Sequence, residues 1–150
     1  MKKIFIIVMG LLFTGFAFIV FFNGIQKQED LKILSELEDK GDVNGKREFL
    51  FSLTNVGENS AELGFLTWLE YNVAIDNLDN KDIPSGEIIL EHIDLNENDE
   101  GRLLELEPNQ KIEYRLLISN IPKGNYEITI SSAADAADFG GINKQEFTVN

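Results

Sequence analysis

The chain has no cysteine, one histidine and one tryptophan among its 150 residues. Without cysteine it can form no disulfide, and no lipid can be attached through a cysteine thiol. Zinc and copper sites of the usual kind are also excluded, because they need several histidine or cysteine ligands. The domain is large enough to bury a hydrophobic core that needs no disulfides.

Catalytic groups are equally scarce. His92 is the only histidine, and no Gly-x-Ser-x-Gly sequence is present to place a nucleophilic serine on a sharp turn. His92 shares strand parity with Ile88 and Leu90, which predicts a half-buried histidine or one at a sheet edge. We therefore expect a protein that is not an enzyme.

Basic residues are few: 13 against 26 acidic ones, for a net charge of −13. All the acidic residues lie beyond Phe22, where the net charge is −15. Such a surface repels phosphate backbones and anionic lipid headgroups, so we expect no nucleic acid partner. The acidity either keeps the domain soluble or attracts a basic partner or divalent cations.

Two oxygen-rich segments contain residue types that bind calcium. Asp94, Asn96, Asn98 and Glu105 match positions one, three, five and twelve of such a loop, but position six is Asp99 instead of glycine. Residues 76–82 contain ligand types but also a lysine. We interpret both segments as solvated turns and predict no cofactor and no bound metal.

Residues 4–22 are 19 consecutive uncharged, mostly apolar residues that follow two lysines. As a helix they would span roughly 28 Å, close to the hydrocarbon thickness of a bilayer. We predict a single transmembrane anchor over residues 1–23, with the N-terminus cytoplasmic and the domain extracytoplasmic. The alternative is a signal peptide cleaved after Ala17, which would give a secreted protein with an apolar N-terminus.

Residues 24–45 read as a connector, with a first strand at 31–38 and a turn at 41–45. From residue 46 to 150, apolar and polar residues alternate in short segments separated by turn residues. The clearest segment is Ile112, Tyr114, Leu116 and Ile118, which should share one buried face. The pattern predicts an all-β fold, an immunoglobulin-like antiparallel β-sandwich of about seven strands.

Three features of this domain have both a structural and a functional interpretation. Tyr126 follows a turn as in a tyrosine corner, or it is an ordinary core aromatic. Trp68 is expected in the core between the sheets, with an exposed recognition aromatic as the alternative. Residues 131–141 are expected to be a long loop or one helical turn, or else a binding loop. In the binding-loop interpretation, the partner-binding residues are Ala133, Ala134, Asp135, Asp138 and Phe139.

Several segments resemble the intracellular proteinase inhibitor family of the BsuPI type. The main one, residues 49–65 (FLFSLTNVGENSAELGF), has an alternating strand, an Asn-containing turn and a second strand. The resemblance continues in residues 71–76, 106–110 and 124–126 and extends over about 80 of the 150 residues. It implies an immunoglobulin-like fold and a protease as partner, and it assigns no inhibitory residue.

These observations favour a membrane-anchored, non-enzymatic immunoglobulin-like module that binds a protein partner, with proteinase inhibition implied by the resemblance. The alternative is a structural or accessory subunit of a membrane or cell-envelope complex, in which the anchor itself contacts the partners.

Overall fold

The computed structural model describes residues 32–79, 88–93, 101–134 and 141–150, which belong to a compact unit of residues 31–150. The predicted anchor and the segment 94–100 of the first oxygen-rich loop lie outside the described residues. In the described part of the chain, no helix is long and apolar enough to cross a membrane.

Antiparallel β-strands make up the described structure, which confirms the predicted all-β class. We number the nine strands found in the described residues in chain order: β1 Ile33–Val43, β2 Lys46–Asn55, β3 Ala61–Phe65, β4 Tyr71–Asn77, β5 Ile89–Ile93, β6 Arg102–Leu106, β7 Lys111–Ser119, β8 Gly124–Ser132 and β9 Ile142–Val149.

The strands form three sheets that share one hydrophobic core. A four-stranded sheet has the order β1-β2-β7-β5, a three-stranded sheet has the order β4-β8-β9, and β3 pairs with β6. Aromatic rings from the two larger sheets pack against each other. The ring centroids of Phe49 on β2 and Phe147 on β9 are 5.2 Å apart, and those of Phe51 on β2 and Tyr71 on β4 are 6.0 Å apart, both pairs edge-on. The arrangement is therefore β-sandwich-like, with the core between the sheets.

Side-chain burial follows the predicted two-residue period. In β7, Tyr114, Leu116 and Ile118 are buried, whereas Lys111 and Glu113 are exposed. One face of the strand thus packs against the core while the other faces solvent, as expected for an antiparallel sheet covered on one side.

The predicted first strand exists and is longer than expected. β1 runs to Val43 and pairs with β2, so the turn is limited to Asn44 and Gly45. Both residues have positive φ, +53° and +80°, as a two-residue type I′ hairpin requires. Gly41, also at positive φ, lies at an irregularity in the register and lets the strand continue through it.

The side chain of Asn55, at the end of β2, bonds to the β2–β3 turn and to the end of β6. Its buried side-chain nitrogen donates to the carbonyl oxygens of Asn59 and Leu106, both at 2.8 Å. Its side-chain oxygen accepts a hydrogen bond from the backbone N–H of Gly57 at 2.9 Å. The β2–β3 turn and the end of β6 are therefore held together by one side chain.

Tyr126 satisfies both of its interpretations. Its ring is buried and stacks on Phe147, with the ring centroids 5.5 Å apart. Its hydroxyl donates a hydrogen bond to the carbonyl oxygen of Pro122, four residues upstream, at 2.8 Å. This is the bond that defines a tyrosine corner.

Leu116 and Glu113 lie on opposite faces of β7 and provide a direct test of this register. We expect Leu116→Ala to lower the free energy of unfolding by about 2–5 kcal/mol, because it removes a fully buried side chain and leaves a cavity. Glu113→Ala should change it by less than about 0.5 kcal/mol. Urea denaturation of the two variants checks this, and equal effects would mean that the register is wrong.

Candidate functional site

Trp68 is not a core residue, so the expectation that it packs between the sheets is wrong. It lies in the connection between β3 and β4, and 43% of its surface is exposed. The alternating pattern that predicts burial in a strand does not apply there, because the connection has no strand geometry. Two other large apolar residues are also exposed: Leu66 in the same connection, at 77%, and Leu103 on β6, at 67%. We call Leu66, Trp68 and Leu103 the Trp68 surface.

The β3–β6 pair places Leu103 close to the start of the β3–β4 connection. Leu103 lies directly opposite Gly64, and Leu66 is the first residue after β3. A Cβ atom on Gly101 would lie 2.1 Å from the carbonyl oxygen of Phe65. Only glycine lets the two backbones approach this closely, so the start of β6 packs directly on the chain that leads to Leu66.

Glu70 ends the β3–β4 connection and is completely buried. Its Oε2 accepts hydrogen bonds from Arg102 Nη2 at 2.8 Å and from the Tyr114 hydroxyl at 2.5 Å. Its Oε1 lies 2.6 Å from Arg102 Nε, at ion-pair distance but without the alignment of a hydrogen bond. The hydrogen bond to Glu70 raises the pKa of Arg102, so this guanidinium stays charged.

The main chain of Glu70 also makes a contact. Its carbonyl oxygen accepts a hydrogen bond from the backbone N–H of Ala133 at 2.9 Å. Glu70 therefore bonds to β6 and β7 through its side chain and to the residue after β8 through its backbone, which joins all three sheets. We call Glu70, Arg102 and Tyr114 the Glu70 cluster.

The predicted partner-binding loop is described only at its beginning. Ala133 is half-buried and bonded to Glu70, and Ala134 is half-buried and packs against the core. Asp135, Asp138 and Phe139 lie outside the described residues. The structure thus places Ala133 beside Glu70 and leaves the interpretation as a binding loop a prediction.

His92 supports the indole of Trp68 from the side. It lies on β5, the edge strand of the four-stranded sheet, and is half-buried, which confirms its predicted position. Its ring is edge-on to the Trp68 indole, with the ring centroids 6.2 Å apart, and its Nδ1 lies 2.6 Å from the Tyr71 hydroxyl oxygen. Burial lowers the pKa of His92 and raises that of Tyr71, so the two form a neutral hydrogen-bonded pair at pH 7.

The side chains of the Glu70 cluster hold the fold together and offer no reactive group to a substrate. Both Glu70 oxygens face Arg102, and Tyr114 is buried, so neither the carboxylate nor the phenol is open to a substrate. Among the described residues, no group of three or more acidic, histidine or cysteine side chains is placed to hold a metal ion. From the second oxygen-rich segment, Asp79 accepts hydrogen bonds from the backbone and side chain of Asn125.

Sequence reasoning did not identify the Glu70 cluster. A glutamate just before a strand and an arginine at the start of another are usually solvated, and no spacing in the chain links residues 70, 102 and 114. Their association depends on how β6 and β7 are placed beside the β3–β4 connection, which a period-2 pattern does not specify.

Comparison with models of known protein families gives no match, and no curated protein matches the chain. The resemblance to the BsuPI-type family stays a prediction.

The Glu70 cluster can be tested by a double-mutant cycle. Arg102→Met leaves the buried Glu70 carboxylate without its cation and should lower the free energy of unfolding by about 3–5 kcal/mol. Adding Glu70→Gln should recover part of that loss, because the amide carries no charge to compensate. Urea denaturation of both single variants and the double variant measures the coupling. Strictly additive effects would contradict a direct ion pair.

Proposed function

We propose that this protein is a membrane-anchored, non-enzymatic immunoglobulin-like module that binds a protein partner through the Trp68 surface. The strand order supports the immunoglobulin-like assignment. In the constant-type fold, strands A, B, E and D form one sheet and strands C, F and G the other. The four-stranded sheet β1-β2-β7-β5 and the three-stranded sheet β4-β8-β9 follow the same order if β3 and β6 are treated as an added pair.

Tyr126 gives independent support for this assignment. In immunoglobulin-type domains the corner tyrosine lies near the start of strand F. Tyr126 is the third residue of β8, the strand equivalent to F in the proposed assignment, and its hydroxyl bonds to Pro122.

The observation that carries the binding proposal is the exposure of Trp68 on a rigid support. Tryptophan is among the residues that most often dominate binding energy at protein interfaces. Here its indole lies against His92, and the connection that carries it ends at the buried Glu70. A side chain that is already held in place loses little conformational freedom on binding, so more of its contact energy contributes to affinity.

The sequence supports a membrane location and a basic protein partner for this domain. The uncharged run 4–22 is long enough to hold the domain at a membrane surface. The resemblance to a proteinase inhibitor family makes a protease the first partner to test. The net charge of −13 favours partners with a basic surface.

A panel of serine proteases assayed with the full chain in detergent micelles tests this function. We expect saturable inhibition of at least one protease that Trp68→Ala weakens at least roughly tenfold, as for a hot-spot tryptophan. Leu78→Ala, at another exposed apolar residue (42%), is the matched control and should leave inhibition unchanged.

Equal effects of the two variants would contradict a role for the Trp68 surface. Absence of inhibition across the panel, together with membrane proteins that co-purify with the intact chain, would favour the accessory-subunit function instead.

A further inference from the structure

A groove on the outer face of the four-stranded sheet is separate from the Trp68 surface. It has a volume of about 290 Å³ and is lined by Glu36, Leu37, Glu38, Leu50, Ser52 and Lys111. These residues come from β1, β2 and β7, which are three consecutive strands in that sheet. The groove therefore has a floor of regular, paired strands.

Ser52 accounts for the depression. Its strand neighbours Phe51 and Leu53 face the core, so Ser52 faces outward. It lies directly opposite Glu36 of β1 and Glu113 of β7. A short side chain between two long ones leaves a hollow in the sheet surface.

The Ser52 hydroxyl is an acceptor at the bottom of this hollow. The residue is only 4% exposed, and its hydroxyl makes no hydrogen bond to another described residue. Ser52 lines the groove, and its hydroxyl oxygen has two lone pairs, so it can accept a hydrogen bond from a ligand there.

The charges around the groove favour a cation. Glu36 makes no ion pair with the described residues, whereas Glu38 pairs with Lys40 at 2.6 Å and Lys111 pairs with Glu113 at 2.7 Å. The hydrogen bond and the charge of Glu113, with smaller contributions from the charges of Glu36 and Glu38, raise the pKa of Lys111, as a locally negative surface should.

We propose that this groove binds the arginine side chain of a protein partner. The guanidinium would donate to the Glu36 carboxylate and the Ser52 hydroxyl, and its aliphatic stem would lie on Leu50. Arginine fits better than lysine, because its planar fork has five donors and is more weakly hydrated than an ammonium. This site does not depend on the Trp68 surface, so either proposal can fail while the other stands.

The test is a titration of the ¹⁵N-labelled full chain in detergent micelles with the peptide acetyl-Gly-Arg-Gly-amide, followed by NMR. We expect saturable shifts of the backbone amides of residues 36–38 and 50–52, and smaller shifts with the lysine and glutamine analogues of the peptide. Glu36→Gln should weaken binding roughly tenfold, as expected for loss of a charge-assisted hydrogen bond.

Two further variants distinguish binding in the groove from a general effect of the protein's negative charge. Glu146→Gln, at an exposed residue of β9 in the three-stranded sheet, removes the same charge and should leave the affinity unchanged. Ser52→Val suits a strand and fills the hollow, so it should abolish the shifts while the rest of the spectrum stays that of the folded protein.

Equal weakening by Glu36→Gln and Glu146→Gln would overturn the proposal, as would shifts centred outside the groove or the absence of saturation. Binding of the lysine peptide as tight as that of the arginine peptide would contradict the assignment to arginine.

Discussion

The buried carboxylate of Glu70 connects the three sheets. Its side chain bonds to Arg102 on β6 and Tyr114 on β7, and its carbonyl oxygen accepts from Ala133 beyond β8. A carboxylate without solvent access loses its hydration, and only close donors and a cation can offset that loss. The chain entering β4 must therefore lie where Arg102 and Tyr114 can both reach Glu70.

This constraint explains why the β3–β4 connection can carry an exposed tryptophan. The connection is short, and both of its ends are held: Phe65 by the close approach of Gly101, and Glu70 by its bonds. Loops positioned by a rigid scaffold commonly carry the binding residues of a domain. The hydrophobic core and the Glu70 cluster thus have different roles, since the core stabilises the sandwich and the cluster fixes one connection on it.

Much of the fold could be predicted from the sequence. The alternation in β2, β7 and β8 correctly identifies buried residues such as Phe51, Leu116 and Ile128, because a strand with one covered face imposes a period of two. A proline followed by asparagine, as in Glu107-Pro108-Asn109, is typical of a turn. In the structure Asn109 has φ of +66°, and the N–H of Gln110 donates to the carbonyl of Glu107.

The candidate site could not be predicted in the same way. Trp68 is in a connection, where side-chain burial depends on tertiary packing and not on periodicity. A glutamate just before a strand, as Glu70 is before Tyr71, is usually solvated. Glu70 is buried instead, because Arg102, 32 residues later in the chain, pairs with its carboxylate. The short strands β3 and β6 also raise the number of strands in the described residues above the predicted seven, since five-residue strands are hard to tell from turns.

We infer that the Glu70 cluster holds Trp68 exposed but immobile, and time-resolved fluorescence anisotropy of the full chain tests this directly. Trp68 is the only tryptophan, so the signal is unambiguous. We expect the anisotropy to decay mainly with the tumbling of the whole particle, and Tyr114→Phe to add a faster component while the protein stays folded. A dominant sub-nanosecond decay in the unmodified protein, as for an unrestrained surface side chain, would contradict it.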